Sequence, residues 1–201
     1  RGRIYLLHVD VDLLSGQELD QLSKAAGKLA LAPLYIDDTA GLDDVQLRSR
    51  IRQMHYEHGI KVAMVDYLQL LHARKRFDNR AQEVAHISNG MKEIARELGI
   101  PVLVCAQLNR DVLNRKGERP RISDLRESGG IEQDADLVGL LYPKKPDDEQ
   151  ESFNVESALY IGKARNGPTG TIQLLFRKDI FRFESVAKIS QEDVPPSSMG
   201  S

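Results

Sequence analysis

Apolar and polar positions change rhythm along this chain, and each change predicts an element. Ser15 and Glu18 stand at capping-box spacing, and Leu19, Leu22, Ala26 and Leu29 follow at helical intervals. "PLYI" (33–36) suits a short strand. Asp43 and Asp44 open a second helix whose apolar stripe includes Leu47, Ile51 and Met54, and Gly59 is placed to stop it. "IKVAMVD" (60–66) is a continuous apolar run closing on an acid, the pattern of a strand covered on both faces. Val84, Ile87, Met91, Ile94, Ala95 and Leu98 make the clearest amphipathic helix, ended by Gly99 and Pro101. "VLVCAQ" (102–107) is a second doubly buried strand.

Strands alternating with helices predict an α/β fold with a mainly parallel sheet flanked by helices. Further along, the helical period disappears. "ADLVGLLY" (135–142), "ESALYIG" (156–162), "TIQLLF" (171–176) and "IFRFE" (180–184) follow one another as strands, the last two joined by "RKD" as a C-terminal β-hairpin. "KKPDDEQES" (144–152) reads as a polar loop with solvated acids. "QEDVPPSSMGS" lacks core-forming residues, so residues 1–185 are expected to form one domain and 186–201 a disordered tail.

The 201 residues are 41% apolar and 29% charged, which suits a globular chain with a sizeable core. No apolar run reaches membrane-spanning length, and the start lacks a signal-peptide layout. Cys105 is the single cysteine, which excludes a disulfide framework and suits a reducing, cytoplasmic setting; its apolar neighbours suggest a small core residue. The net charge of −2 offers no global case for nucleic-acid binding. Two local patches do: "HARKRFDNR" (72–80) and "NRDVLNRKGERPR" (109–121), each rich in Arg and Lys.

In an open parallel sheet, ligands bind beyond the carboxyl ends of the strands. Asp66 and Gln107 end two of these strands, and a basic patch follows each strand. An acid after a buried hydrophobic run matches the carboxylate that holds the water shell of Mg²⁺ at a nucleotide-hydrolysing site; a cap or turn residue has the same pattern. A glutamine beside it could sense a γ-phosphate or satisfy loop backbone. The basic loops could track strand phosphates, or be solvated cations. In "IGKARNGPTG" (161–170), Lys163 and Arg165 alternate along a strand end and so point the same way. Such a pair could deliver charge to a phosphate as an arginine finger does, or face solvent beside a turn.

"VDYLQLL" (65–71), "AQLNR" (106–110), "DLRESGGIEQDADL" (124–137) and "GKARNGPTG" (162–170) occur in an order and spacing that closely resembles the motor domain of DnaB-type replicative DNA helicases. The similarity runs from about residue 8 to about Phe183. It implies a RecA-like fold, part of a P-loop NTPase core, and a homo-hexameric ring with ATP and Mg²⁺ between subunits and single-stranded DNA in the channel. It also implies primase and a helicase loader as partners, no membrane, and 5′-to-3′ travel. On that resemblance Asp66 is the Walker B acid acting on Mg²⁺. Gln107 couples the nucleotide site to the DNA loop, and Lys163 and Arg165 reach into the adjacent subunit's ATP.

By the same resemblance, Arg126, Glu127 and Gly129 lie on the channel loop that grips the DNA backbone. A guanidinium at Arg126 would meet phosphate, and glycine lets main-chain N–H groups approach closely. The sequence also departs from the family. It contains no G-x-x-x-x-G-K-[ST] phosphate loop, and the family's primase-engaging N-terminal domain has no counterpart here. Gly130 stands where serine is common and Ala164 where glutamine is common, changes expected to leave the roles intact. Truncation is the simplest expectation, with a naturally shortened relative as the alternative, and the 201 residues alone are expected to hydrolyse ATP poorly or not at all. Two competing readings are another RecA-like ATPase, which the last two motifs disfavour, and a non-catalytic module that binds DNA or joins subunits.

Overall fold

The computed structural model describes residues 15–109, 112, 115, 118–125, 129–144, 154–178 and 180–186. The helix starts follow their caps. Ser15 and Glu18 close a capping box at the head of α1 (Gly16–Leu31), and Asp43 with Gln46 does the same for α2 (Asp44–His58). Asn79 accepts from the Gln82 N–H at 2.9 Å to open α3 (Arg80–Leu98). Gly59 and Gly99 end α2 and α3 with φ of 63° and 64°, a left-handed conformation that glycine adopts without steric cost.

Helix α3 is the keel of the core. Val84, Ile87 and Ile94 are fully buried and Met91 nearly so. Their stripe packs against Val65, Leu68 and Leu71 at one end and against Ile51, Ala63 and Ile100 at the other. Burying each such side chain is worth about 1.5–3 kcal/mol, so this one face accounts for much of what orders the segment. Above it lie two parallel strands, β1 (Ala63–Val65) and β2 (Val102–Val104), joined by a crossover through α3.

The parallel pair is covered on one face only. Ala63 and Val65 point into the core, while Met64 is 74% and Leu103 55% exposed. The expectation of doubly buried strands is therefore corrected: among the described residues nothing packs on the second face. Cys105, at the end of this pair, is exposed rather than core. "PLYI" forms no strand either. No neighbour offers it a ladder among the described residues, and Tyr35 instead stacks on His58 with ring centroids 4.0 Å apart.

A short helix α4 (Gly129–Asp134) leads into an antiparallel meander of β3 (Leu137–Pro143), β4 (Asn154–Ala164), β5 (Gly170–Arg177) and β6 (Arg182–Ser185). Antiparallel strands thus outnumber parallel ones among the described residues. The expected hairpin is present, with Arg177 opposite Arg182. Val138 and Leu140 seat the meander on a cluster with Leu125, Ile122 and Ile131. Residues 145–152 of the expected polar loop and 187–201 of the expected tail lie outside the described residues. No helix among the described residues is long and apolar enough to cross a membrane.

Candidate functional site

The loops leaving β1 and β2 are laced together at their carboxyl ends. Val65 pairs with Val104, the Cys105 N–H donates to the Val65 carbonyl at 2.9 Å, and the Leu68 N–H donates back to the Cys105 carbonyl at 2.9 Å. Asp66 and Gln107 therefore stand on one edge, as their positions after the strands predict. Both are exposed, and neither carboxylate nor amide has a partner among the described residues. A free carboxylate fits Mg²⁺, which takes one or two carboxylates plus water and substrate phosphates rather than a protein cage. No cluster of three or more candidate metal ligands exists among the described residues.

Gln69 is a residue at this edge that sequence reasoning missed. Its Oε1 accepts from the Gln107 N–H at 3.1 Å, its carbonyl accepts from Arg80 Nη2 at 2.9 Å, and its buried Nε2 has no partner. It therefore ties the loop after β1 to the loop after β2. Its place three residues past Asp66, inside "VDYLQLL", was the available signal.

Lys163 and Arg165 are brought together elsewhere. Both turn toward the C-terminal end of α4, where carbonyls lack helical partners. Lys163 Nζ donates to the Glu132 and Gln133 carbonyls, and Arg165 Nη2 donates to the Gln133 carbonyl at 2.7 Å. Arg165 Nε also lies 3.4 Å from Asp136 Oδ1, while Asp136 Oδ2 takes the Lys92 ammonium from α3. The Lys92 hydrogen bond holds the Asp136 carboxyl below the usual carboxylate range, and the charges of Lys92, Arg165 and Arg96 add to it. Among the described residues, neither Lys163 nor Arg165 forms a hydrogen bond or ion pair with the loops carrying Asp66 and Gln107.

Arg126 and Glu127 lie outside the described residues, and Gly129 is the first residue of α4. The neighbouring Gly130 is less neutral than its sequence suggests, because a Cβ there would fall 2.4 Å from the Ala85 Cβ. The basic patches are also partly spent inside the fold. Arg74 pairs with Asp43 at 3.3 Å, Arg80 with Glu83 at 2.6 Å and Arg115 with Asp124. Arg119 lies over the Tyr160 ring, 3.7 Å from its centroid. Fewer cations remain for phosphates than composition alone implies.

A parallel pair with an acid and an amide at its carboxyl edge, followed by an antiparallel meander that carries paired cations, is the arrangement expected of a RecA-like domain. Residues 1–185 match the family described as the DnaB-like helicase C terminal domain, and the chain belongs to that family. It is 44% identical over 187 residues to the replicative DNA helicase DnaB of Pasteurella multocida, covering 90% of this chain and 40% of that protein. It is 40% identical over 200 residues to the replicative DNA helicase DnaC of Bacillus subtilis, covering 98% of this chain and 44% of that protein. The chain thus spans about two fifths of the length of these curated relatives.

Solved structures agree. One solved ATPase domain superposes with a TM-score of 0.78 at 38% identity, covering 88% of this chain and 62% of that one. A DnaB-like replicative helicase, described together with its interactions with primase, gives 0.78 at 36% identity, covering 90% of this chain and 44% of that one.

Proposed function

We propose that this chain is part of the motor of a replicative DNA helicase, an ATP-driven enzyme that travels 5′-to-3′ along single-stranded DNA as a homo-hexameric ring and works in the cytoplasm with primase and a loader. One observation carries the reading. Asp66 and Gln107 stand at the β1–β2 edge, while Lys163 and Arg165 gather at α4, a different place in the same copy. Cations that do not meet their own copy's acid are suited to a neighbour's. One heterologous contact repeated to closure supplies that neighbour in every subunit.

ATP with Mg²⁺ supplies the phosphoryl chemistry when bound. Asp66 would hold the metal's water shell, and Gln107 would orient toward the γ-phosphate from the adjacent strand. Lys163 and Arg165 would bring positive charge to a neighbour's phosphates, where charge develops during transfer. A phosphate-cradling loop is not among these 201 residues and would have to come from outside them. Arg126 and the main chain near Gly129 would grip DNA phosphates, contacts that carry no sequence information, as translocation requires.

The missing phosphate loop favours a second reading for the 201 residues by themselves, a non-catalytic module that binds DNA or joins subunits. Mg²⁺-dependent ATP hydrolysis, measured with and without single-stranded DNA, separates the two. Silence from these residues, with DNA-stimulated turnover in a version extended upstream through a phosphate loop, supports the motor. In that version Arg165→Ala is expected to abolish hydrolysis and spare nucleotide binding. Mixing it with Asp66→Ala subunits should restore activity, and no recovery at any ratio would end the case for action between copies.

A further inference from the structure

Arg165 is gripped from one side. Its main-chain N–H donates to the Asp136 carbonyl at 2.9 Å, one step past the Leu137–Ala164 pair at the end of the β3–β4 ladder. The side chain then returns to the same residue, with Nε 3.4 Å from Asp136 Oδ1, while Nη2 donates to the Gln133 carbonyl at 2.7 Å. Nη1 has no partner among the described residues, and the side chain is 47% exposed. A guanidinium presents its donors as a rigid planar fork. The ion pair at Nε and the hydrogen bond from Nη2 together set the direction in which Nη1 faces.

Asp136 has its own anchor. The Lys92 ammonium reaches its Oδ2 from α3, and the Lys92 side chain is largely buried at 17% exposure. A carboxylate between a fixed ammonium and a half-exposed guanidinium transmits the position of the first to the second. An ion pair this exposed adds little to fold stability, so its consequence lies in geometry.

We propose that Asp136 is a positioning residue for Arg165, aiming the free edge of the guanidinium outward at the phosphates of a nucleotide on a neighbouring copy, with Lys92 fixing Asp136 to α3. The inference rests on the finger reading of Arg165 given above. Asp136 touches no nucleotide and acts only through the arginine. Holding a reacting partner in register is worth rate rather than affinity, because misplacement is felt in the transition state.

Asp136→Asn keeps the side-chain shape and the main-chain carbonyl while removing the charge. In the 201-residue chain, the Arg165 Nε–Hε resonance, assigned by its disappearance in Arg165→Lys, is expected to shift in Asp136→Asn, because the carboxylate lies beside Nε. In the upstream-extended, hydrolysing ring, Asp136→Asn is expected to lower kcat roughly tenfold with KM for ATP unchanged. An Nε–Hε signal indifferent to Asp136→Asn overturns the positioning role. So does a shifted resonance with unchanged kcat, measured beside an inactive Arg165→Ala; both results leave the finger reading intact. Full activity in Arg165→Ala removes the finger reading and this inference with it. Should Asp136→Asn fail to fold, Lys92→Gln is expected to lower kcat with KM unchanged, and an unchanged kcat there overturns the proposal.

Discussion

His86 Nε2 lies 3.2 Å from Asp44 Oδ2, joining the first turn of α2 to α3. Asp44 is 3% exposed, and its Oδ1 accepts from the Arg74 N–H at 2.9 Å. Burial by itself pushes this carboxyl up. The Arg74 hydrogen bond, His86 and Arg48 outweigh it and hold the group below the ordinary carboxylate range. A carboxyl depressed on folding adds stability that is complete above its unfolded value, about 4, and lost as pH falls through the folded value. Acidification from about pH 5 toward 2 is therefore expected to destabilise the protein. Asp44→Asn should flatten that loss and cost about 1–3 kcal/mol at neutral pH, where it weakens a buried network. Thermal melts across this range check both, and identical slopes would remove Asp44 from the acid response.

Gly130 tests how tightly α4 is seated. A Cβ there would lie 2.4 Å from the Ala85 Cβ and 2.5 Å from its Cα, so any side chain must push α4 away from α3. Alanine would otherwise favour the helix by about 1 kcal/mol. A net loss of about 1–3 kcal/mol in Gly130→Ala, seen in urea unfolding, would be the mark of overpacking. Amide exchange in α4 should quicken as well. Gly130→Ser should behave alike, and no change in either would mean that α4 has a second seat on α3.

Arg126 carries the DNA side of the proposal. Arg126→Ala is expected to weaken single-stranded DNA binding by a similar factor on every sequence, because phosphates are common to all. One lost phosphate contact should also make the salt dependence shallower by about 0.7 in log–log slope. Titrations on homopolymer and mixed strands at several salt concentrations measure both, and a sequence-selective loss would count against backbone contact.

Much of this fold was legible because its punctuation is local. Ser15, Asp43, Gly59 and Gly99 act on backbone groups within a turn of themselves, so the helix ends in the structure follow those residues. The apolar period of α3 names its buried face for the same reason, since spacing along a helix maps directly onto one side of it. Asp66 and Gln107 were placed on one edge by the rule that successive parallel strands end together, and Lys163 and Arg165 were placed on one side by alternation.

Other features depend on contacts between segments far apart in the chain, and spacing does not encode them. "PLYI" has strand-forming residues but no ladder partner among those described, and the apolar run of β1 does not reveal that Met64 faces outward uncovered. Gln69 was invisible as a tie between two loops because its partner, Gln107, lies 38 residues away. The chain order determined where helices start, where they stop and which residues stand at strand ends. Only tertiary packing decided that Arg165 would be held by Asp136 and α4, because that choice is made where β4, α3 and α4 converge.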